Sequence, residues 1–447
     1  MIFFVEHLLV VLGVMAVALA MVLALQQPRS PQSSAAWILF IILMPYLAVP
    51  VFIALGFRKQ GHRFPPIGFT APPHPEPSSA AAVFAHLGAP CACSGNRIEL
   101  HATPEAARVA LNDLLVSAQS RVDILLYIVE NDDSGRAFVQ LLTALQRRGV
   151  AVRLSLDWLG TLKRPRSDLA EFVAAGGELR FFSPFLHLRD RGQLNLRNHR
   201  KLVMVDRRRV WAGGRNVGDD YLASPPGKWN DLSYVVEGPV MQSFADVFQS
   251  DWAVAGGSAG DLAARVEPAG TAVLQAVPAG PDEPLDVLHD GLVAAIHRAD
   301  RRVWIATPYF IPSEVLSQAL TTAARRGVDV RLFVPTKSNQ WTADLARGAY
   351  LRAAEKAGCR ISRFLPGMMH AKAGLIDGMG LVGSANFDVR SMLLNFELML
   401  ACHDPETVAA LEGWFAGLSR DCAEGLLPAS IPRRLAESVF RLGAPIL

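Results

Sequence analysis

Two segments of this 447-residue chain repeat one spacing of reactive side chains. NHRKLVMVD holds His199, Lys201 and Asp206; HAKAGLID holds His370, Lys372 and Asp377. Both read H-x-K-x4-D. With 11 His, 7 Lys and 24 Asp in the chain, about 0.01 such matches are expected by chance. Each is followed by a Gly-containing turn and an Asn: GGRN with Asn216, GSAN with Asn386. Residues i and i+2 of a strand share a face, so His and Lys of each motif are expected to point into one site. The Asp of each motif lies at an odd offset and is expected to support its motif rather than react. A neutral imidazole is a nucleophile or an acid/base near pH 7. An ammonium beside it stabilises charge developing on oxygen. Two His, two Lys and two Asn amides therefore suit a phosphodiester. One His attacks phosphorus, with His199 the expected nucleophile; the other protonates the leaving alkoxide and then activates the incoming hydroxyl. Lys and Asn hold the nonbridging oxygens. No metal or other cofactor is expected, because neither motif has a carboxylate cluster or a His-x-His nearby.

Such a base needs a partner for its second ring nitrogen. Asp231 in WNDLS lies 32 residues after His199, and Glu397 in LNFE lies 27 after His370. Either acid can accept from an imidazole N–H.

The elements that must carry these motifs are themselves repeated. RRGVAVRL begins at Arg147 and RRGVDVRL at Arg325, a separation of 178 residues. Amphipathic stretches precede them, at 135–146 and 314–324, with apolar residues at helical spacing. Before each helix comes an apolar strand ending in a Tyr, Tyr127 or Tyr309. These tyrosines, with Phe310, are expected to line the pocket and help exclude water. Gly149 and Gly327 occupy helix C-cap positions. A helix between two strands implies a right-handed parallel crossover. The chain thus reads as α/β, in two homologous halves, 80–270 and 271–447, packed face to face around a pseudo-twofold with His199 and His370 in one pocket.

Composition is 51% hydrophobic and 19% charged, against about 25% charged in an ordinary soluble domain. These figures exclude disorder, and the five scattered Cys exclude a disulfide scaffold and suggest a reducing compartment. The net charge of +3 does not suggest a nucleic-acid binder. The apolar excess sits at the N-terminus. Residues 8–25 lack any polar side chain, and 35–57 form a second apolar run broken only by Pro45 and Pro50. Each is long enough to span a hydrocarbon core of about 30 Å, so residues 1–59 are expected to form a two-helix transmembrane hairpin. Arg29 alone lies between the runs; Arg58, Lys59 and Arg63 follow the second. The positive-inside rule then puts the N-terminus and residues 58–447 in the cytoplasm, making this a multi-pass inner-membrane protein. Trp37 and Tyr46 are candidate interfacial anchors. Residues 60–79 hold six prolines and read as a stiff linker. Nine basic residues between Arg189 and Arg215 suit anionic headgroups, although Arg207–Arg209 also reads as a hairpin turn. The segment 431–442 fits either a surface-lying or a docked helix.

The two H-x-K-x4-D motifs in a duplicated α/β chain resemble the phospholipase D superfamily. NLRNHRK, GGRN, KWNDLS, TPYFIPSE, VGSANFDVRS, LNFE and the two N-terminal spans are similar to bacterial cardiolipin synthases of that type. The resemblance implies catalytic roles for His199, Lys201, His370 and Lys372, and a reaction joining two phosphatidylglycerol molecules with release of glycerol. Anionic phospholipid and membrane are then the partners, with no nucleic acid; oligomeric state stays open. A hydrolytic phospholipase D and a phosphatidylserine synthase share the same catalytic logic. A nuclease of the superfamily and an inactive membrane scaffold are the readings from other classes.

Overall fold

The computed structural model describes residues 2–27, 31–56, 64–71, 79–183, 195–223, 229–258 and 267–442. Each half supplies three parallel strands. In the first they are Arg121–Leu126, Ala151–Asp157 and Glu178–Phe182; in the second, Arg302–Ala306, Asp329–Pro335 and Arg360–Phe364. The connecting helices Asp133–Arg147 and Glu314–Arg325 start on side-chain caps, Asp132 accepting from Gly135 N and Ser313 from Leu316 N. Both end before a glycine at φ +92°, Gly149 and Gly327, a conformation that costs glycine no Cβ clash.

Four antiparallel strands complete each half. The first adds Leu202–Val205, Arg209–Gly213, Ser233–Glu237 and Cys93–His101; the second adds Ala373–Ile376, Met379–Gly383, Glu397–Cys402 and Ala272–Ala279. Cys93–His101 pairs antiparallel with Ala272–Ala279, so the halves meet edge to edge in one 15-stranded sheet rather than face to face. The pairing removes the edge that each half would otherwise expose. Strand order runs outward from this seam in the same sequence through seven strands on both sides, and Cys422–Glu424 adds the fifteenth, antiparallel to Arg360–Phe364 at the outer edge of the second half. Alternation splits each strand between two cores: Val203 and Val205 face one, Leu202 and Met204 the other. The second core is shared, with Phe244, Phe248 and Trp252 of one half packed alongside Leu411 and Phe415 of the other.

The N-terminal segment departs from two uninterrupted spans. Ile2–Gln26 is one helix, long and apolar enough to cross a membrane. The second run is broken into Pro31–Leu43 and Pro45–Leu55 at Met44, which has φ −138° and ψ 61°. The cause is local: Pro45 lacks an N–H and disfavours helical geometry at the residue before it. Trp37 packs edge-on to Phe52 at 5.2 Å, whereas Tyr46 is exposed. Arg29, Arg58, Lys59, Arg63, Pro72, Pro73, Pro75 and Pro77 lie outside the described residues. Part of the expected linker is docked on the body: Ile67 is buried in the shared core, Phe64 meets Phe396 edge-on at 5.1 Å, and Thr70 N donates to Asp246.

Candidate active site

Each motif sits where an irregular segment runs into a strand, and each segment is pinned by the other half. Asn198 bridges Phe396 in parallel, with Phe396 N donating to Arg197 O and His199 N to Phe396 O. Reciprocally, Met368–Met369 pairs in parallel with Trp229–Asn230, and His370 N donates to Asn230 O at 2.6 Å. The acids that follow these partner segments are thereby exchanged. His199 Nδ1 lies 3.0 Å from both oxygens of Glu397, and His370 Nδ1 lies 2.6 Å from Asp231 Oδ2. Sequence offsets left open which acid serves which His; the geometry crosses them between halves.

Both imidazoles line one cavity of about 170 Å³. Tyr127, Tyr309, Asn216 and Asn386 line it too. Tyr127 meets His199 edge-on at 4.8 Å, and Tyr309 Oη donates to Asn339 Oδ1. Asn216 lies beside Tyr221, and Asn386 beside Asp388. Phe310 is elsewhere, stacked on Phe387 in the core. The lysines are buried behind the imidazoles. Lys201 Nζ donates to His199 O at 2.7 Å and Lys372 Nζ donates to His370 O; Lys372 Nζ also lies 2.7 and 3.1 Å from the two ring nitrogens of His370.

Asp206 and Asp377 do not line the cavity. Asp206 accepts from the backbone of Gln119, Ser120 and Arg121, and Asp377 from that of Asp300, Arg301 and Arg302. Each ties the far end of its motif strand to the start of the neighbouring parallel strand. The basic stretch forms no single surface among the described residues. Arg200 is buried against Asp251 and Asp282, Arg215 donates to His101 O and Ala102 O, and Arg207 and Arg208 lie in the hairpin turn before Arg209, which opens the next strand. Arg189 and Arg191 lie outside the described residues.

Several cavity residues carry no signal in the motif spacing. Tyr221 and Trp229 pack on His370 at 5.4 and 4.9 Å between ring centroids. Arg390 donates to Asn195, and Arg197 to Asp157. The turns behind the acids also differ. Ser384 Oγ donates to Glu397 Oε2 at 2.5 Å and accepts from Leu398 N. At the equivalent Gly214, a Cβ would overlap Asp231 Oδ1.

Burial sets the protonation states. It pushes both imidazoles below their ordinary value, His370 to about 3, with Lys372 adding to the effect and Asp231 opposing it. Burial also lowers Lys201 to about 7 and Lys372 to about 8. It acts upward on Asp231 and Glu397, but the facing Lys and His groups outweigh it, and both acids stay below the usual carboxylate range. The free site therefore holds neutral imidazoles between ionised acids. Each Nδ1–H donates to its acid, which leaves Nε2 as the reactive nitrogen.

A duplicated sheet with paired His and Lys at its seam defines the phospholipase D class. The family described as "Cardiolipin synthase, PLD-like domain" matches residues 111–252 and 292–419, and the chain belongs to this family. Cardiolipin synthase A of Pseudomonas fluorescens is 33% identical over 412 residues, 86% of each chain. A probable cardiolipin synthase of Bacillus subtilis is 32% identical over 74% of this chain and 68% of its own length. The crystal structure of Haemophilus influenzae phosphatidylserine synthase superposes with a TM-score of 0.65 at 15% identity, covering 83% of this chain and all of that one; that likeness concerns the fold.

Proposed function

We propose that this chain is a membrane-bound phosphatidyltransferase that makes cardiolipin from two phosphatidylglycerol molecules. The observation that carries the reading is the convergence of His199 and His370 on one cavity, each held by an acid from the other half. His199 Nε2 attacks phosphorus, the bond to the glycerol headgroup breaks, and a phosphatidyl-histidine forms. Entry of the phosphate draws Lys372 toward the nonbridging oxygens. This removes the charge that opposes protonation of His370, which takes up a proton and passes it to the departing glycerol oxygen. His370 then accepts the proton of a hydroxyl on a second phosphatidylglycerol. That oxygen attacks phosphorus, the P–N bond breaks, and His199 is restored. Lys201, Lys372, Asn216 and Asn386 serve the phosphate oxygens.

The helix Ile2–Gln26 spans the inner membrane, and the broken pair Pro31–Leu43 and Pro45–Leu55 returns the chain, so that the catalytic body faces the cytoplasm. Phosphatidylglycerol concentrated at that surface favours transfer over hydrolysis. Purified chain supplied with phosphatidylglycerol vesicles should release cardiolipin and glycerol in equal amounts, and added glycerol should reverse the reaction. Phosphatidic acid as the dominant product at every glycerol concentration would make the protein a hydrolase.

A further inference from the structure

The C-terminal helix Ile431–Leu442 is docked with an apolar stripe left uncovered. An amphipathic helix normally turns its apolar side to the body. Here the body receives Glu437 together with Ala436 and Phe440, and the longest apolar stripe is left outside. Glu437 is only 1% exposed, held by Arg352 of the helix Trp341–Lys356 and by Arg433 at 3.1 Å. Gly348 makes room for it, since a Cβ there would overlap the carboxylate. Phe440 meets Trp341 edge-on, and the Arg441 guanidinium covers Tyr350 at 5.1 Å. Ile431, Leu435 and Val439, spaced i, i+4 and i+8, face outward at 83%, 67% and 56% exposure.

We infer that this outward face inserts into the headgroup–acyl boundary of an anionic bilayer beside the cavity. Three observations favour lipid as the occupant. The helix carries three arginines against one glutamate, and that glutamate is already neutralised inside the protein; a cationic flank on an apolar stripe suits anionic headgroups. The supporting helix begins at the cavity, where Gln340 and Ala343 are lining residues, and its first residue, Trp341, is exposed. The loop after Ala151–Asp157, the counterpart in the other half, likewise exposes Leu159 and Leu162. A stripe one helix wide also falls well short of the ~800 Å² per partner of a stable protein interface. The inference deepens the lipid-substrate reading and rests on it for its purpose.

The test uses the full chain in mixed phosphatidylglycerol and phosphatidylcholine vesicles. An NBD label is placed at Leu435→Cys with the exposed native Cys91 replaced by Ser. Its emission should shift to the blue and fall about twofold or more when the lipids carry a doxyl group at acyl carbon 5. In parallel, the Leu435→Asp/Val439→Asp variant should raise KM for vesicle phosphatidylglycerol about tenfold, with kcat unchanged on dispersed short-chain phosphatidylglycerol. A quenched label on a chain that makes no cardiolipin supports the inference and defeats the functional reading instead. A label that stays water-like, a blue shift without quenching (the mark of a second copy or another protein over the face), or a double variant equal to the parent on vesicles overturns it.

Discussion

The His199 corner and the His370 corner share a scaffold but not their surroundings. At His199 the acid is the longer Glu397, reached by both oxygens and fixed from behind by the Ser384 hydroxyl. At His370 the acid is the shorter Asp231, and its space exists because position 214 is a glycine. The aromatic surroundings differ in the same way: one tyrosine beside His199, a tyrosine and a tryptophan beside His370. Duplication preserved the backbone that aims each imidazole, while the residues behind the acids diverged together. The two histidines thus sit in different surroundings, which supports the proposal of one nucleophile and one acid/base.

The largest expected effect removes a corner. His199→Ala and His370→Ala should each lower turnover by roughly 10⁴-fold or more with folding retained. With a p-nitrophenyl ester, whose leaving group needs no proton, the His370→Ala chain should accumulate a phosphatidyl adduct that mass spectrometry locates on His199. An adduct on His370 in the His199→Ala chain would exchange the two roles. Next, Asp231→Asn and Glu397→Gln should each cost about 10²–10³-fold in kcat by upsetting tautomer and orientation. The turns then separate the corners: Gly214→Ala, which displaces Asp231, should cost more than tenfold, and Ser384→Ala about tenfold or less, since His199 still holds Glu397. Equal losses would mean that the turns do not set the difference.

A pH profile gives a smaller, continuous test. His199, the proposed nucleophile, is held below its ordinary 6.5 by burial, so kcat/KM should rise through a value under 6.5 as that group loses its proton. It should fall between about pH 7 and 8 as Lys201 and Lys372, lowered by burial to about 7 and about 8, lose theirs. Lys201→Arg, which keeps its charge at these pH values, should extend the upper limb to the point where Lys372, lowered to about 8, loses its own proton. The smallest effect is none: EDTA should leave the chemical step unchanged, because the lysines already offset the phosphate charge. Loss of activity with EDTA, restored by a divalent ion, would count against the site.

Much of this was legible locally. Strand periodicity of two, a C-cap glycine after each helix and the spacing of His, Lys and Asn are properties of short windows, and the duplication doubled every one of them. The crossed acids were not legible. His199 and Glu397 are 198 residues apart, His370 and Asp231 139, and only the exchange of short bridging segments decides which acid meets which His. Tyr221 and Trp229 were missed for the same reason. The break at Met44 was announced by Pro45, but a tolerated kink and a full interruption read alike in sequence. Phe64 and Ile67 among the prolines were the one sign that the linker is docked.

The exchange across the seam has a consequence for descent. A lone half that associated with a copy of itself would face His199 with Asp231 in both corners, because each copy would lend the acid it owns. Such an ancestor has two identical corners and no means of telling attacker from proton donor except by the order in which substrates arrive. Joining two copies in one chain lets the acids drift apart, and with them the histidines. The present molecule therefore cannot be divided into its halves and reassembled from either alone: every such dimer restores the symmetry that the fused chain has lost.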